Sequence, residues 1–129
     1  NHRIDALVVV GGYNSYLSFQ AISQDLERYP ALRIPMVLVP ASIDNNLPGA
    51  EISIGADTAL NNIVRSLDLI KESAAASKRL FVAETMGRKC GYLALIGGIA
   101  AGAEKAYLEE DAITLEQLGV DAAQMRYFR

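Results

Sequence analysis

The sequence predicts an α/β fold, a parallel sheet with helices on both faces. Two observations predict it. Short apolar, β-branched runs alternate with longer stretches of helical periodicity, and the order strand then helix recurs four times. The runs are also nearly continuous in apolar residues, as strands buried on both faces are.

The elements follow in order. Residues 4–10 (IDALVVV) read as a buried strand that ends at Gly11-Gly12. Asn14 or Ser15 is positioned to cap a helix running to about residue 28, with Leu17, Phe19, Ile22 and Leu26 on its inner face and Pro30 beyond its end. Residues 34–39 (IPMVLV) form the second strand, and Pro35 places its start at an edge. A loop covers residues 40–55. The next helix covers residues 56–75, with Leu60, Ile63, Val64, Leu67 and Ile70 inside and Arg65, Asp68, Lys71 and Glu72 outside. Residues 80–84 (LFVAE) read as a third strand, followed by a loop at 87–91 and a glycine-alanine helix over 92–102. Residues 105–108 read as a fourth short strand. Thr114-Leu-Glu-Gln117 has capping-box spacing and starts the last helix.

Composition bounds the function. The chain has 129 residues, the size of one domain, and at 51% hydrophobic it can bury a core. Lys+Arg 12 against Asp+Glu 15 leaves a formal charge of −3, which argues against nucleic acid as a partner. Cys90 is the sole cysteine, so no internal disulfide or Cys-rich metal site forms. His2, the sole histidine, sits at the very end, so histidine acid–base chemistry is not expected. The apolar stretch 90–103 is too short and glycine-rich to span a bilayer, and no signal peptide is seen. These features read as a cytoplasmic domain without a membrane partner. The chain opens almost at once on a strand, as a piece of a larger protein does.

An α/β fold of this kind gathers its functional groups at the carboxyl ends of its strands. Three such ends carry unusual chemistry. Gly11-Gly12-Tyr13-Asn14-Ser15 is a turn before a helix, whose free N–H groups suit a phosphate; the glycines also serve simply to turn the chain. Ser42-Ile43-Asp44-Asn45-Asn46 holds one carboxylate among neutral groups. Asp44 reads either as a base for a bound hydroxyl or as loop-stabilising turn chemistry. Met86-Gly87-Arg88-Lys89 brings two cations to the third end, with Arg79 at the strand's beginning. They suit phosphate oxygens, or form a solvated charged loop. Glu109-Glu110-Asp111 reads as a solvated acidic turn favouring the start of the last helix. The Gly97–Gly102 stretch reads as close helix packing, and Cys90 as a core thiol.

Taken together, five ordered segments resemble the 6-phosphofructokinase family along essentially the whole chain: GGYNS (11–15), SIDNN (42–46), GADTALN (55–61), MGRKCG (86–91) and GAE (102–104). The resemblance implies a three-layer phosphofructokinase-like fold. It implies that residues 1–129 are the central piece of one such unit, spanning the end of a nucleotide-binding domain and most of a sugar-phosphate domain. It implies phosphoryl transfer from ATP, with Mg²⁺, to the 1-hydroxyl of fructose 6-phosphate by the parent enzyme. Asp44 falls at the catalytic base and Ser42 beside the transferring phosphate. Met86, Gly87 and Arg88 match the loop that holds the fructose phosphate and the transition state. Arg79 matches an arginine reaching across a subunit interface to a sugar 6-phosphate, which implies other phosphofructokinase subunits or halves as partners. Lys71, in place of an arginine, and Glu104 fall at an allosteric effector site of bacterial relatives.

The chain also departs from the family pattern. Tyr13 stands where an aspartate approaches magnesium and nucleotide, Asn14 replaces a glycine, and Asn46 replaces a second loop carboxylate. The lysine of pyrophosphate-using members is absent from residues 39–41. A Gly-Gly-aromatic turn resembles the C-terminal, regulatory-type half of doubled eukaryotic chains. RYPALRIPMVLVPAS (28–42) and TLEQL (114–118) resemble the fungal version in particular. The resemblance therefore implies a half that binds fructose 6-phosphate or a fructose bisphosphate, with no metal or nucleotide held by this piece and no activity of the piece alone. Against this stands Asp44, which leaves open a competent catalytic unit. A dehydrogenase-type nucleotide module needs Gly-X-Gly-X-X-Gly, which GGYNSY does not supply. A scaffold with an empty pocket is the remaining alternative.

Overall fold

A computed structural model describes residues 4–127. β1 (Leu7–Gly11) and β2 (Met36–Pro40) pair in parallel, in register from Leu7 with Met36 to Gly11 with Pro40. α1 (Tyr13–Gln24) connects them and packs on both strands. Leu7, Val9, Met36 and Leu38 are half-buried, whereas Val8, Val10 and Val37 lie 57–64% exposed on the opposite face.

α1 differs from expectation at both ends. Its N-cap is Gly12, with no side-chain cap from Asn14 or Ser15. It ends at Gln24 because the Asp25 carbonyl accepts the N–H groups of Arg28 and Tyr29 in a tighter turn, at 3.0 Å each. Pro30–Leu32 then forms a short 3₁₀ turn, and β2 starts just after Pro35.

α2 (Ala56–Ser77) is the long helix that the apolar spacing demands. Leu60, Ile63, Val64, Leu67 and Ile70 are half-buried, and Arg65, Asp68, Lys71 and Glu72 are exposed. α3 (Tyr92–Ala101) packs against it. A Cβ on Gly97 would lie 2.7 Å from Ile63 Cγ2, so glycine permits the close approach expected of this stretch. The buried core sits here: Leu93 is 1% exposed and Ala56 0%, with Ala74 and Ala101 alongside.

The third and fourth strands are not formed. Residues 80–84 and 105–108 find no ladder partner among the described residues, and a strand exists only through inter-strand hydrogen bonds. Residues 80–84 and 105–107 instead line a cavity of about 780 Å³ bounded by α2, α3 and α4 (Leu115–Tyr127). α4 begins as its capping spacing requires, with Thr114 Oγ1 accepting the Gln117 N–H at 3.2 Å.

α4 is anchored by a group that periodicity does not reveal. Asp121 is only 6% exposed. Its carboxylate accepts from Lys105 Nζ, from the Tyr107 hydroxyl at 2.9 Å and from Gln117 Nε2 at 3.1 Å. The Lys105 contact, then the Tyr107 hydroxyl, hold Asp121 below the usual carboxylate range. Among the described residues, no helix is long and apolar enough to cross a membrane.

Candidate functional site

The three chemically unusual segments converge. The Gly12 backbone lies against the second loop: a Cβ there would meet Ser42 Cβ at 3.4 Å. The second loop meets the third through Asn46 Nδ2, which donates to the Arg88 carbonyl at 2.9 Å. Cys90 Sγ adds a weak donation to the Asn45 carbonyl at 3.8 Å. Cys90 is thus a half-buried thiol at the loop junction, not a deep core residue.

The loop after β2 is held by short polar side chains. The Asp44 N–H donates to Ser42 Oγ at 3.2 Å, and Asn45 takes a left-handed conformation at φ 51°. Asn45 Oδ1 accepts the Ser53 N–H at 2.8 Å, and Asn45 Nδ2 donates to the Glu51 carbonyl at 3.0 Å. The Ser53 hydroxyl, 3% exposed as a residue, lies 2.9 Å from both the Ser42 carbonyl and Asn45 Oδ1. The turn chemistry therefore belongs to Asn45 and Ser53. The half-buried Asp44 is left with its carboxylate outside this network.

Residues 86–91 form the opposing loop. Gly87 has φ 150°, and a Cβ there would lie 2.5 Å from the Cys90 carbonyl oxygen, so only glycine fits. The acidic turn, a 3₁₀ segment at Glu109–Asp111, is solvent-exposed as expected, and two of its carboxylates also brace this loop. Glu109 Oε2 accepts the Lys89 N–H at 2.7 Å. Glu110 accepts the Gly91 N–H with both oxygens, at 2.9 and 3.0 Å. Gly91 is the N-cap of α3, so Glu110 serves the positive end of α3. The Gly91 N–H also holds the Glu110 carboxyl below its usual range.

The remaining expected residues fall into two places. Tyr13 is the first residue of α1, 43% exposed, with its ring 6.2 Å from that of Tyr16. Ser15 follows one position past Asn14, on the first turn of the same helix. Arg79, Met86, Gly87, Lys71 and Glu104 line the large cavity, whereas Ser42, Asp44 and Arg88 do not. Met86-Gly87-Arg88 joins the two regions. Lys71 Nζ donates to the Ala101 carbonyl at 2.6 Å, which ties this cation to the end of α3.

These residues do not make a magnesium site of their own. Mg²⁺ takes hard oxygen ligands in octahedral geometry, from one or two carboxylates together with substrate phosphates. Tyr13 and Asn46 offer neutral groups, Asp44 is the one carboxylate of residues 42–46, and Glu109 and Glu110 are engaged with backbone N–H groups of the 86–91 loop. Among the described residues no group of three or more His, Cys, Asp or Glu is placed to hold a metal ion.

Three contributions were not visible in the linear order. Asn46 read as a missing carboxylate, whereas it is a donor to another loop. Glu109 and Glu110 reach back to a loop 20 and 19 positions earlier. Their signal, two adjacent carboxylates near a glycine-rich loop in the fold, appears only when the chain is folded.

Comparison with known proteins gives the family. The family model for Phosphofructokinase matches residues 1–129. The chain is 48% identical over 118 residues to the human platelet-type ATP-dependent 6-phosphofructokinase, covering 91% of this chain and 15% of that protein. To the ATP-dependent 6-phosphofructokinase of Schistosoma mansoni it is 45% identical over 125 residues, covering 96% and 16%. Among solved structures, Saccharomyces cerevisiae phosphofructokinase superposes at a TM-score of 0.87 with 44% identity, covering 92% of this chain and 16% of that one. Pichia pastoris phosphofructokinase in the T-state superposes at 0.86 with 45% identity, covering 92% and 13%. The chain thus spans 13–16% of the length of these relatives.

Proposed function

The chain belongs to the phosphofructokinase family, and from that premise we propose that it forms the sugar-phosphate end of an ATP-dependent 6-phosphofructokinase. The parent transfers the ATP γ-phosphoryl group to the 1-hydroxyl of fructose 6-phosphate, and this unit is of the regulatory type. It binds fructose 6-phosphate or a fructose bisphosphate without catalysing the transfer. The observation that carries the reading is the junction of the Asp44 loop with the Arg88 loop, joined by Asn46, beside a turn that presents Tyr13.

The chemistry of the junction fits that role. Arg88 supplies a guanidinium fork to phosphate oxygens. Ser42 and Asp44 supply a hydroxyl and a carboxylate to sugar hydroxyls. Arg79, at the rim of the cavity with Met86 and Gly87, supplies a second cation for a phosphate. The nucleotide side is the weaker one, since Tyr13 brings bulk and no carboxylate to the α1 turn. ATP and Mg²⁺ belong to the parent's other residues, and other subunits or halves complete the oligomer. Lys71 and Glu104, which share the cavity wall, are the proposed effector-side residues.

A second reading is favoured by Asp44 alone. Its carboxylate stands outside the loop's hydrogen-bond network, as a base for a bound hydroxyl requires. The test of the main reading is Arg88→Ala in the full-length parent, followed by calorimetric titration with fructose 2,6-bisphosphate and fructose 6-phosphate. The reading expects Kd for at least one of them to rise about tenfold or more, as for loss of a charge-assisted pair. Unchanged affinity for both would remove it.

A further inference from the structure

One peptide group at the junction is gripped from both sides. The carbonyl of Arg88 and the N–H of Lys89 belong to the same peptide plane. Asn46 Nδ2 donates to that carbonyl at 2.9 Å, and Glu109 Oε2 accepts that N–H at 2.7 Å. The two side chains come from distant parts of the sequence, 42 positions before Arg88 and 20 after Lys89.

The grip has a conformational consequence. Lys89 stands at φ 52°, a left-handed conformation that an L-residue other than glycine adopts at a cost. Rotating the 88–89 peptide plane changes ψ of Arg88 and φ of Lys89 together. A half-turn would carry Lys89 to the favoured negative-φ region and reverse the carbonyl. Both side-chain contacts would break. The observed arrangement is thus the one with the higher local cost at Lys89, and both side-chain contacts oppose its reversal.

We propose that Asn46 and Glu109 are positioning residues that clamp the Arg88–Lys89 peptide, holding Arg88 in the orientation that receives a sugar phosphate. This rests on the reading of residues 86–88 as the phosphate-holding loop. The chemistry at position 46 is specific. The amide must present its nitrogen to the carbonyl, because the opposite orientation sets two acceptors against each other. Asn46 Oδ1 is already buried with no partner. An aspartate of the same shape would place a charged acceptor at each of these positions, with no donor to offer Arg88.

The test uses the full-length parent with Asn46→Asp, Glu109→Ala and Lys89→Gly, singly and combined. The readout is the Kd of fructose 6-phosphate and fructose 2,6-bisphosphate. Asn46→Asp and Glu109→Ala are each expected to weaken binding about tenfold. Lys89→Gly tolerates φ 52° without strain but also removes a loop cation, so it serves as the background against which the combined variants are read. In that background, either clamp change is expected to cost less than about twofold in affinity. A merely structural contact would cost the same in both backgrounds.

Parent-like affinity in both clamp variants would overturn the clamp, as would a loss that Lys89→Gly leaves untouched. Should Asn46→Asp fail to fold, the exposed Glu109→Ala pair decides alone. Arg88→Ala separates the two levels. If it leaves affinity unchanged, the sugar-phosphate reading itself fails. If it abolishes binding while the clamp variants bind normally, only the clamp fails.

Discussion

Lys71 Nζ meets the Ala101 carbonyl at 2.6 Å, where α3 ends in a left-handed Gly102. A helix leaves its last carbonyls unpaired and carries partial negative charge there, so a cation from α2 satisfies both at once. The contact fastens the long helix to the short one at the end opposite the 86–91 loop. It gives Lys71 a structural task whatever its effector role.

That contact predicts a stability effect. Lys71→Ala in the parent is expected to lower stability by about 1 kcal/mol at a helix end, a Tm shift of about one degree or less in a chain of that length. Lys71→Arg, which keeps a donor and a charge, is expected to retain most of the stability. A differential scanning experiment on the two variants checks this, and an unchanged Tm in Lys71→Ala would show that the bond does not matter.

Gly87→Ala is expected to be poorly tolerated. Its φ of 150° disfavours a side chain, and the added Cβ would lie 2.5 Å from the Cys90 carbonyl oxygen. Backbone strain of this kind costs on the order of 1–3 kcal/mol, which the loop can relieve only by moving Arg88. Sugar-phosphate Kd should rise at least tenfold. Parent-like binding would show that the loop conformation is not what the ligand meets.

Asp121 predicts a pH signature. Its carboxyl is held low by Lys105 first and then by the Tyr107 hydroxyl. A depressed carboxyl contributes stability above the unfolded value, about 3.9, and loses it as pH falls through the folded value. Lys105 is raised chiefly by its bond to Asp121, so its contribution is present below its ordinary value and lost above the folded one. The Tm gap between the parent and its Asp121→Asn variant should therefore stay flat from about pH 5 to about pH 9 and shrink in stronger acid. A gap that closes near neutrality would contradict the assignment.

Much of this was legible because it is local. β1 and β2 follow from apolar runs, α2 from five apolar positions at helical spacing, and the start of α4 from Thr114 and Gln117. Gly97 declared a close helix contact through its missing side chain. Residues 80–84 and 105–108 have strand composition, yet a strand needs a neighbour, which their own residues cannot specify. The end of α1 was misplaced because Asp25 closes a turn before Pro30 acts. In the candidate site, Gly12 lies against Ser42 beyond the ends of β1 and β2, and Asn46 bonds Arg88, although the run before Arg88 forms no strand. The tasks of Asn46, Glu109 and Asp121 stayed hidden because each depends on a partner brought close only by the fold.

The proposed role, a unit that senses sugar phosphate and transfers no phosphoryl group, is decided by Asp44→Asn in the full-length parent, with turnover and the response to fructose 2,6-bisphosphate followed in the same preparation. Near-parental turnover at saturating substrates with a shifted activation curve is expected. A fall in turnover of about 10²–10⁴-fold, the usual cost of losing a general base, would contradict it and make Asp44 a working base beside Tyr13.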